Sequence, residues 1–264
     1  LGMCRWLTYC GEPIYLDKVL FEPKNSLISQ SLRARHSHVT TNGDGFGIGW
    51  YGERPQPGVY RDILPAWNDQ NLKSLSHQIR SGLFLAHVRA STGTATSRAN
   101  CHPFSHGNWL FMHNGQIGGY ERIRRKLEAL IDDRFYSARV GTTDSELIFY
   151  LLFSEGLEQD PMRALTSSVG KIERLAGAEG INEPFKFTAV LSDGETIYAI
   201  RHASSDVPPT LYHVRRGDHV MVVSEPLDDD NTESCFAWRE VPPSQMLVIE
   251  KSGKLDMVPF LAAA

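Results

Sequence analysis

Three glycine turns in the last third of the chain constrain the fold more than any other feature of the sequence. "FTAVLSDGETIYAI" turns at Asp193-Gly194, "LYHVRRGDHVMVV" at Arg216-Gly217 and "MLVIEKSGKLDMV" at Ser252-Gly253. Glycine supplies the positive φ that a tight hairpin needs, so each turn predicts a pair of antiparallel strands. Two helices are expected ahead of them. In "TTDSELIFYLLF", Thr143 and Glu146 form a capping-box pattern, which predicts a helix that buries Leu147 and Leu151. In "DPMRALTSSVGKIERLAG", Asp160 is the expected N-cap and Pro161 the first helical residue. Leu165, Val169 and Ile172 fall on one face, and Gly177 is the expected close. The first third reads as short strands and loops, with strands over Phe46–Tyr51, Leu83–Val88 and Trp109–Met112. Strands, then helices, then hairpins predict an α+β chain with antiparallel sheet.

Composition excludes several functions. The net charge of −4 over 264 residues argues against a nucleic-acid binder, which usually presents a basic face. The longest strongly apolar run, Leu147–Phe153, has seven residues, whereas a membrane span needs about 18. The start of the chain lacks the apolar core of a signal peptide. Cys4, Cys10, Cys101 and Cys235 make no C-x-x-C pair, and there is no N-x-S/T sequon, so a reducing cytoplasm is expected rather than secretion. His36-x-His38 and His102-x-x-x-His106 are spaced like ligand pairs, but no Cys or carboxylate cluster completes either, and no metal is expected. "GIGWYG", at Gly47–Gly52, matches a dinucleotide fingerprint. The "ERPQPG" that follows cannot begin the required helix, so the segment is read as a glycine-rich turn entering a strand.

The first residues, "LGMCRW", place Met3 behind Leu1-Gly2. Residues 1–3 are expected to be a tag remnant plus an initiator methionine, which makes Cys4 the second encoded residue. Further on come "AHVRASTGTATSRANCHPF", "FMHNGQI" and "GTTDSE". Each is weak alone: Asn-Gly is usually a turn, and an Asp in a first helical turn usually complements the dipole. As an ordered set behind a near-terminal Cys-Arg-Trp, they resemble the N-terminal-nucleophile amidotransferases, the class II glutamine amidotransferase family.

The resemblance implies a four-layer αββα sandwich of antiparallel sheets, with residues 4–264 as a single amidotransferase domain. It implies Cys4 as nucleophile and Arg89 as the grip on the substrate α-carboxylate. Thr92 matches a threonine of the same loop, Asn100 and His102 match an Asn-x-His-Pro segment, and Thr92 and His102 are thereby implied to help bind the substrate. Asn114 and Gly115 match the oxyanion-hole pair, and Asp144 the aspartate that holds the α-ammonium. "VVSEPLDD", at Val222–Asp229, resembles stand-alone members that include γ-glutamyl hydrolases of thiol metabolism. The implied substrate is a small γ-glutamyl compound, with no metal and no organic cofactor. Any ammonia acceptor is then water or a separate partner protein, a synthase or a peptidase. Where glutamine-fed members commonly carry an aromatic and a histidine after the arginine, this chain has Ala90 and Gly93. Small residues there imply room for a leaving group larger than ammonia.

The chemistry is consistent with the residue types. An amide is a poor electrophile, and a thiol needs a base to become a thiolate. An N-terminal cysteine carries both groups, because its α-amine titrates near about 7.7–8.0. Arg89 can fork two N–H bonds onto a carboxylate, and Asp144 can pair with an ammonium. Three other assignments remain open at this point. One is a papain-like hydrolase pairing Cys4 with His87 or His113. The second is a glutaminase subunit feeding ammonia to a separate synthase, and the third is a catalytically silent interaction subunit.

Overall fold

Alternation along the strands sorts the apolar side chains into three layers, and these stack two sheets between two sets of helices. The computed structural model describes residues 4–32, 43–90, 95–205, 207–228 and 237–263. Thr92, Gly93, Cys235, His36, His38 and the segment 1–3 lie outside the described residues.

The strands of the first half are β1 (Arg5–Tyr15), β2 (Phe46–Tyr51), β3 (Gly58–Asp62), β4 (Arg80–Val88), β5 (Phe104–His106) and β6 (Trp109–Gln116). Those of the second half are β7 (Lys186–Ser192), β8 (Thr196–Ala203), β9 (Tyr212–Arg216), β10 (His219–Val223), β11 (Arg239–Glu240), β12 (Gln245–Glu250) and β13 (Leu255–Pro259). One sheet has seven strands in the order β11-β9-β10-β1-β4-β2-β3, and the other has six in the order β13-β12-β8-β7-β6-β5. All the pairings are antiparallel. The helices are α1 (Asp17–Leu20), α2 (Leu27–Leu32), α3 (Gln70–Gln78), α4 (Tyr120–Glu128), α5 (Asp133–Tyr136), α6 (Asp144–Ser154) and α7 (Pro161–Ala178).

Period-two patterning assigns each face. On β1, Leu7 and Tyr9 join Phe84 and Ala86 of β4 against Leu20, Leu27 and Leu72 of the first three helices. Trp6 and Cys10 point the other way and meet Leu83, Leu85, Leu110 and Val190 between the sheets. On the far side, Phe111 and Phe187 pack against Leu147, Leu151 and Leu165 of α6 and α7. The protein is an α+β sandwich of four layers, helix, sheet, sheet, helix.

Several local expectations are met in detail. Gly194, Gly217 and Gly253 have φ of +96°, +60° and +83° at the three hairpin turns. Thr143 caps α6 by accepting the Glu146 N–H at 3.1 Å. The reciprocal half of the box is replaced, because the Glu146 carboxylate accepts from the Val140 and Gly141 N–H groups instead. Asp160 caps α7 through the Arg163 N–H at 3.0 Å. That helix passes Gly177 and ends at Ala178, with Gly180 at φ +65° taking the left-handed position beyond it. Among the described residues, the first third holds three α-helices in addition to its strands. α3 escapes a periodicity argument because in QNLKSLSHQ only Leu72 and Ser76 are buried.

The glycine fingerprint is a packing device. Gly47 and Gly49 lie on the face of β2 opposite Phe46 and Ile48, and the segment His102–Pro103 crosses them. A Cβ on Gly47 would run into the His102 carbonyl, and one on Gly49 would sit 2.9 Å from Pro103 Cγ and 2.8 Å from Leu110 Cδ1. Among the described residues, no helix is long and apolar enough to cross a membrane.

Candidate active site

The layer between the sheets is apolar over most of its extent and becomes polar where β1 begins. Cys4 immediately precedes β1, half-buried, on the same side as Trp6. Its Sγ lies 3.5 Å from the Ala90 N–H that donates to it and 3.7 Å from the Ala90 carbonyl. Burial pushes the Cys4 thiol above its ordinary value, opposed by the Ala90 N–H and by the charges of Arg89 and Arg5. The resting sulfur is therefore a thiol that needs a base at the moment of attack.

Asn114 reaches Cys4 from the opposite sheet, its Nδ2 donating to the Cys4 carbonyl oxygen at 3.0 Å. The sequence places this strand's end at Met112; β6 in fact continues through His113, Asn114 and Gly115 because β7 goes on pairing with them, Asn114 against Thr188 and Gly115 against Phe187. Gly115 leaves no room for a side chain. A Cβ there would strike the Lys186 carbonyl and lie 2.7 Å from His113 Nε2.

Arg89 follows β4 directly, buried, with its N–H on the Gly45 carbonyl at 2.8 Å and Nη1 on the Asp44 carbonyl at 3.4 Å. Asp144 opens α6 beside the end of β6. Its Oδ2 accepts the Ile117 N–H at 2.8 Å and its Oδ1 the Ser145 N–H at 2.7 Å, which fixes the plane of a half-buried carboxylate. Asn100 ties the chain ahead of that helix, accepting the Thr142 N–H at 2.9 Å and donating to the Ala95 carbonyl at 2.9 Å.

His102 is only 5% exposed. Its ring lies tilted against that of His87 with centroids 4.3 Å apart, and among the described residues no nitrogen of either ring has a hydrogen-bond partner. Burial lowers both imidazoles, His87 to about 3 and His102 well below its usual value. His113 points toward α6, with Nδ1 on Ser145 Oγ at 2.9 Å and Nε2 on the Lys186 carbonyl at 3.0 Å. Neither His87 nor His113 bonds the Cys4 sulfur, so the geometry of a papain-like pair is not formed. Among the described residues, no three His, Cys, Asp or Glu side chains converge as a metal site.

Two residues of this region carry no signal in a position-by-position reading. Arg5 and Glu225 form a buried ion pair at 2.8 Å. They are 220 residues apart, and only the fold brings them together.

Comparisons with known proteins identify the family of the chain. The family model described as "Glutamine amidotransferases class-II" matches residues 22–250. The "probable glutamine amidotransferase DUG3" of Saccharomyces cerevisiae is 32% identical, over 94% of this chain and 82% of that protein. The "gamma-glutamyl-hercynylcysteine sulfoxide hydrolase" of Mycolicibacterium smegmatis is 28% identical, over 93% of this chain and 95% of its own length. A solved "glutamine aminotransferase class-II domain protein" from Silicibacter pomeroyi superposes with a TM-score of 0.78 at 39% identity, covering 99% of this chain and all of the other. The chain belongs to the class II glutamine amidotransferases.

Proposed function

We propose that residues 4–264 form one amidohydrolase domain that cleaves the γ-amide of glutamine or of a γ-glutamyl compound through a thioester on Cys4. The observation that carries this reading is the setting of Cys4. It lies at the start of β1, its sulfur bonded by a main-chain amide and by no imidazole, with Asn114 on its carbonyl. One relative bears a name that specifies a γ-glutamyl conjugate, which supports the substrate class.

Once Cys4 is the first residue, its α-amine takes the thiol proton, directly or through water, and the sulfur attacks the γ-carbonyl carbon. The developing oxyanion meets the second N–H of the Asn114 amide and the main-chain N–H of Gly115. The tetrahedral intermediate expels the amine, which leaves with the proton held by the α-amine. Water then attacks the thioester, and glutamate departs as the thiol re-forms. Arg89 receives the α-carboxylate and Asp144 the α-ammonium, with Thr92 assigned to the same substrate-side loop. His102, whose ring lies 4.3 Å from that of His87, is assigned to the substrate-binding side with Arg89.

The test compares the chain carrying residues 1–3 with the chain that begins at Cys4, scoring glutamate release from a panel of γ-glutamyl compounds. With Met3 attached, the Cys4 nitrogen is an amide and cannot act as a base, so only the trimmed chain turns over. Equal rates for the two would overturn the mechanism. No release from any compound would favour the silent interaction subunit.

A further inference from the structure

A nucleophile at a chain terminus poses a physical problem. First residues fray unless something ties them down, while catalysis loses about 10²-fold for an ångström of misplacement. Asn114 holds the Cys4 carbonyl from the inter-sheet side. The fold grips the same residue from behind, on the face of the seven-stranded sheet that carries α1 and α2.

Arg5 and Val88 are paired in the β1–β4 register, and Val88 packs into the layer beneath the helices, so the Arg5 side chain leaves the sheet on the side away from the Trp6 ring. There its Nη1 donates to the Cys4 carbonyl at 3.2 Å, and its Nε bonds Glu225 Oε2 at 2.8 Å, with both side chains 3% exposed. The carboxylate is itself held. Asn25 Nδ2 donates to Glu225 Oε1 at 3.4 Å, and Gln30 Nε2 to the Glu225 carbonyl at 3.4 Å and to the Asn25 carbonyl at 2.9 Å.

The neighbouring residues of "SEPL" grip in the same way. Ser224 Oγ accepts the Trp6 N–H at 3.0 Å, and the Ser224 N–H donates to the Trp6 carbonyl at 3.0 Å. Asn25 donates to the Pro226 carbonyl at 2.6 Å through its side chain and to the Leu227 carbonyl at 3.0 Å through its main chain. Residues 224–227 thus bind Arg5 and Trp6 on one side and, on the other, Asn25 just before α2 and Gln30 within it.

We propose that Arg5 and Glu225 are a positioning pair for the nucleophile: Glu225 fixes the Arg5 guanidinium, which with Asn114 clamps the Cys4 carbonyl from opposite faces of the sheet. The clamp holds the free end of the chain, so the sulfur stays against the Ala90 N–H when residues 1–3 are gone. Arg5 also places a positive charge near the sulfur, alongside Arg89, while a charge on Cys4 opposes ionisation of the neighbouring Cys101 thiol. The inference rests on Cys4 being the nucleophile, and its first readout needs no substrate.

The experiment uses the trimmed full chain and its Arg5→Lys, Arg5→Met and Glu225→Gln variants. Alkylation of Cys4 by iodoacetamide is followed by mass spectrometry from pH 5 to pH 10, and kcat and KM are measured with a γ-glutamyl anilide. Arg5→Met should move the alkylation profile to higher pH and lower kcat by tenfold or more, with KM changed less than threefold. Arg5→Lys should keep the profile and recover part of kcat. Glu225→Gln, which keeps the side-chain shape, should lower kcat at least fivefold with the profile little moved. Wild-type kcat and profile in Arg5→Met, or equal proportional changes in kcat and KM, would overturn the proposal. If Arg5→Met fails to fold, wild-type kcat in Glu225→Gln overturns it alone. If the wild type cleaves no γ-glutamyl compound, the proposed function fails, while an unmoved alkylation profile in Arg5→Met would still overturn the action of Arg5 on Cys4.

Discussion

The side-chain amide of Asn114, on one sheet, donates a 3.0 Å hydrogen bond to the main-chain carbonyl of Cys4, at the edge of the other. An amide nitrogen carries two N–H groups, so one can hold the nucleophile's backbone while the second meets an oxyanion. Replacing Asn114 with Asp keeps the volume and removes both donors. Losing one oxyanion donor typically costs ~10²–10³ in rate. Asn114→Asp is expected to lose at least that much in the acylation rate, measured in single turnover, and a loss under tenfold would dismiss Asn114 from the oxyanion site.

Substrate recognition is expected to fail differently. Arg89 has its own backbone pinned by Gly45, so substitution should leave the strand in place. Arg89→Lys keeps the charge but loses the planar fork. Asp144→Asn keeps the cap-like contact to the Ile117 N–H through its carbonyl and loses the counter-charge. Both variants should weaken kcat/KM for every γ-glutamyl substrate, while Cys4 alkylates at the wild-type rate. Wild-type kcat/KM in either would cancel its assigned role.

The buried pair His87 and His102 makes stability depend on pH. Burial lowers His87 to about 3 in the folded protein, against an ordinary value near 6.5, and lowers His102 in the same direction. Between those limits the unfolded chain binds a proton that the folded chain does not. Stability contributed by the neutral His87 ring is present above about pH 6.5 and is lost as pH falls toward 3, at about 1.4 kcal/mol per pH unit, and His102 adds in the same direction. Urea unfolding at pH 7.5, 6 and 5 should show this slope. His87→Asn should flatten it by about one proton, whatever the variant does to absolute stability. An unchanged slope would mean that His87 is protonated in the fold.

How far the sequence discloses the fold depends on how local each cause is. Asp193-Gly194 and its two companions fix hairpins because glycine alone accepts the required φ, and Asp160-Pro161 starts a helix by chemistry confined to one turn. Phe46–Tyr51 is a strand with the bounds read from its residues. Long-range causes are not legible in this way. His113 and Asn114 look like the approach to a turn, and only pairing with β7 keeps them in a strand. Glu146 looks like half of a capping box, and the chain at Val140 and Gly141 claims its carboxylate. Cys4, Arg89, Asn114 and Asp144 are visible as a set because their order resembles a known family. Arg5 and Glu225 are a charge beside a cysteine and a charge in a loop until the sheet brings them together.

The leaving group is the remaining specificity question, and Ala90 bears on it. Its N–H and carbonyl flank the Cys4 sulfur, so under the proposed function the side chain at this position stands near the scissile bond. An enzyme confined to glutamine releases only ammonia and gains from bulk closing over the γ-carbonyl. Ala90 offers a single methyl group, and the "STGTATSRA" that follows is built almost wholly from small side chains. Glycine within it, at Gly93, also lowers the preference for one backbone form. Under the proposed function the γ-glutamyl half is still required, because Arg89 and Asp144 are assigned to it independently of the amine. The trimmed enzyme is therefore expected to prefer at least one γ-glutamyl amide of a bulky amine over glutamine by tenfold or more in kcat/KM, about 1.4 kcal/mol of differential transition-state binding. Ala90→Phe should narrow that ratio by filling the space beyond the bond. The measurement is a side-by-side kcat/KM comparison of glutamine with γ-glutamyl peptides and anilides for both proteins. Should glutamine win throughout for the wild type, the small-residue argument fails, and a subunit that passes ammonia to a separate synthase becomes the better assignment.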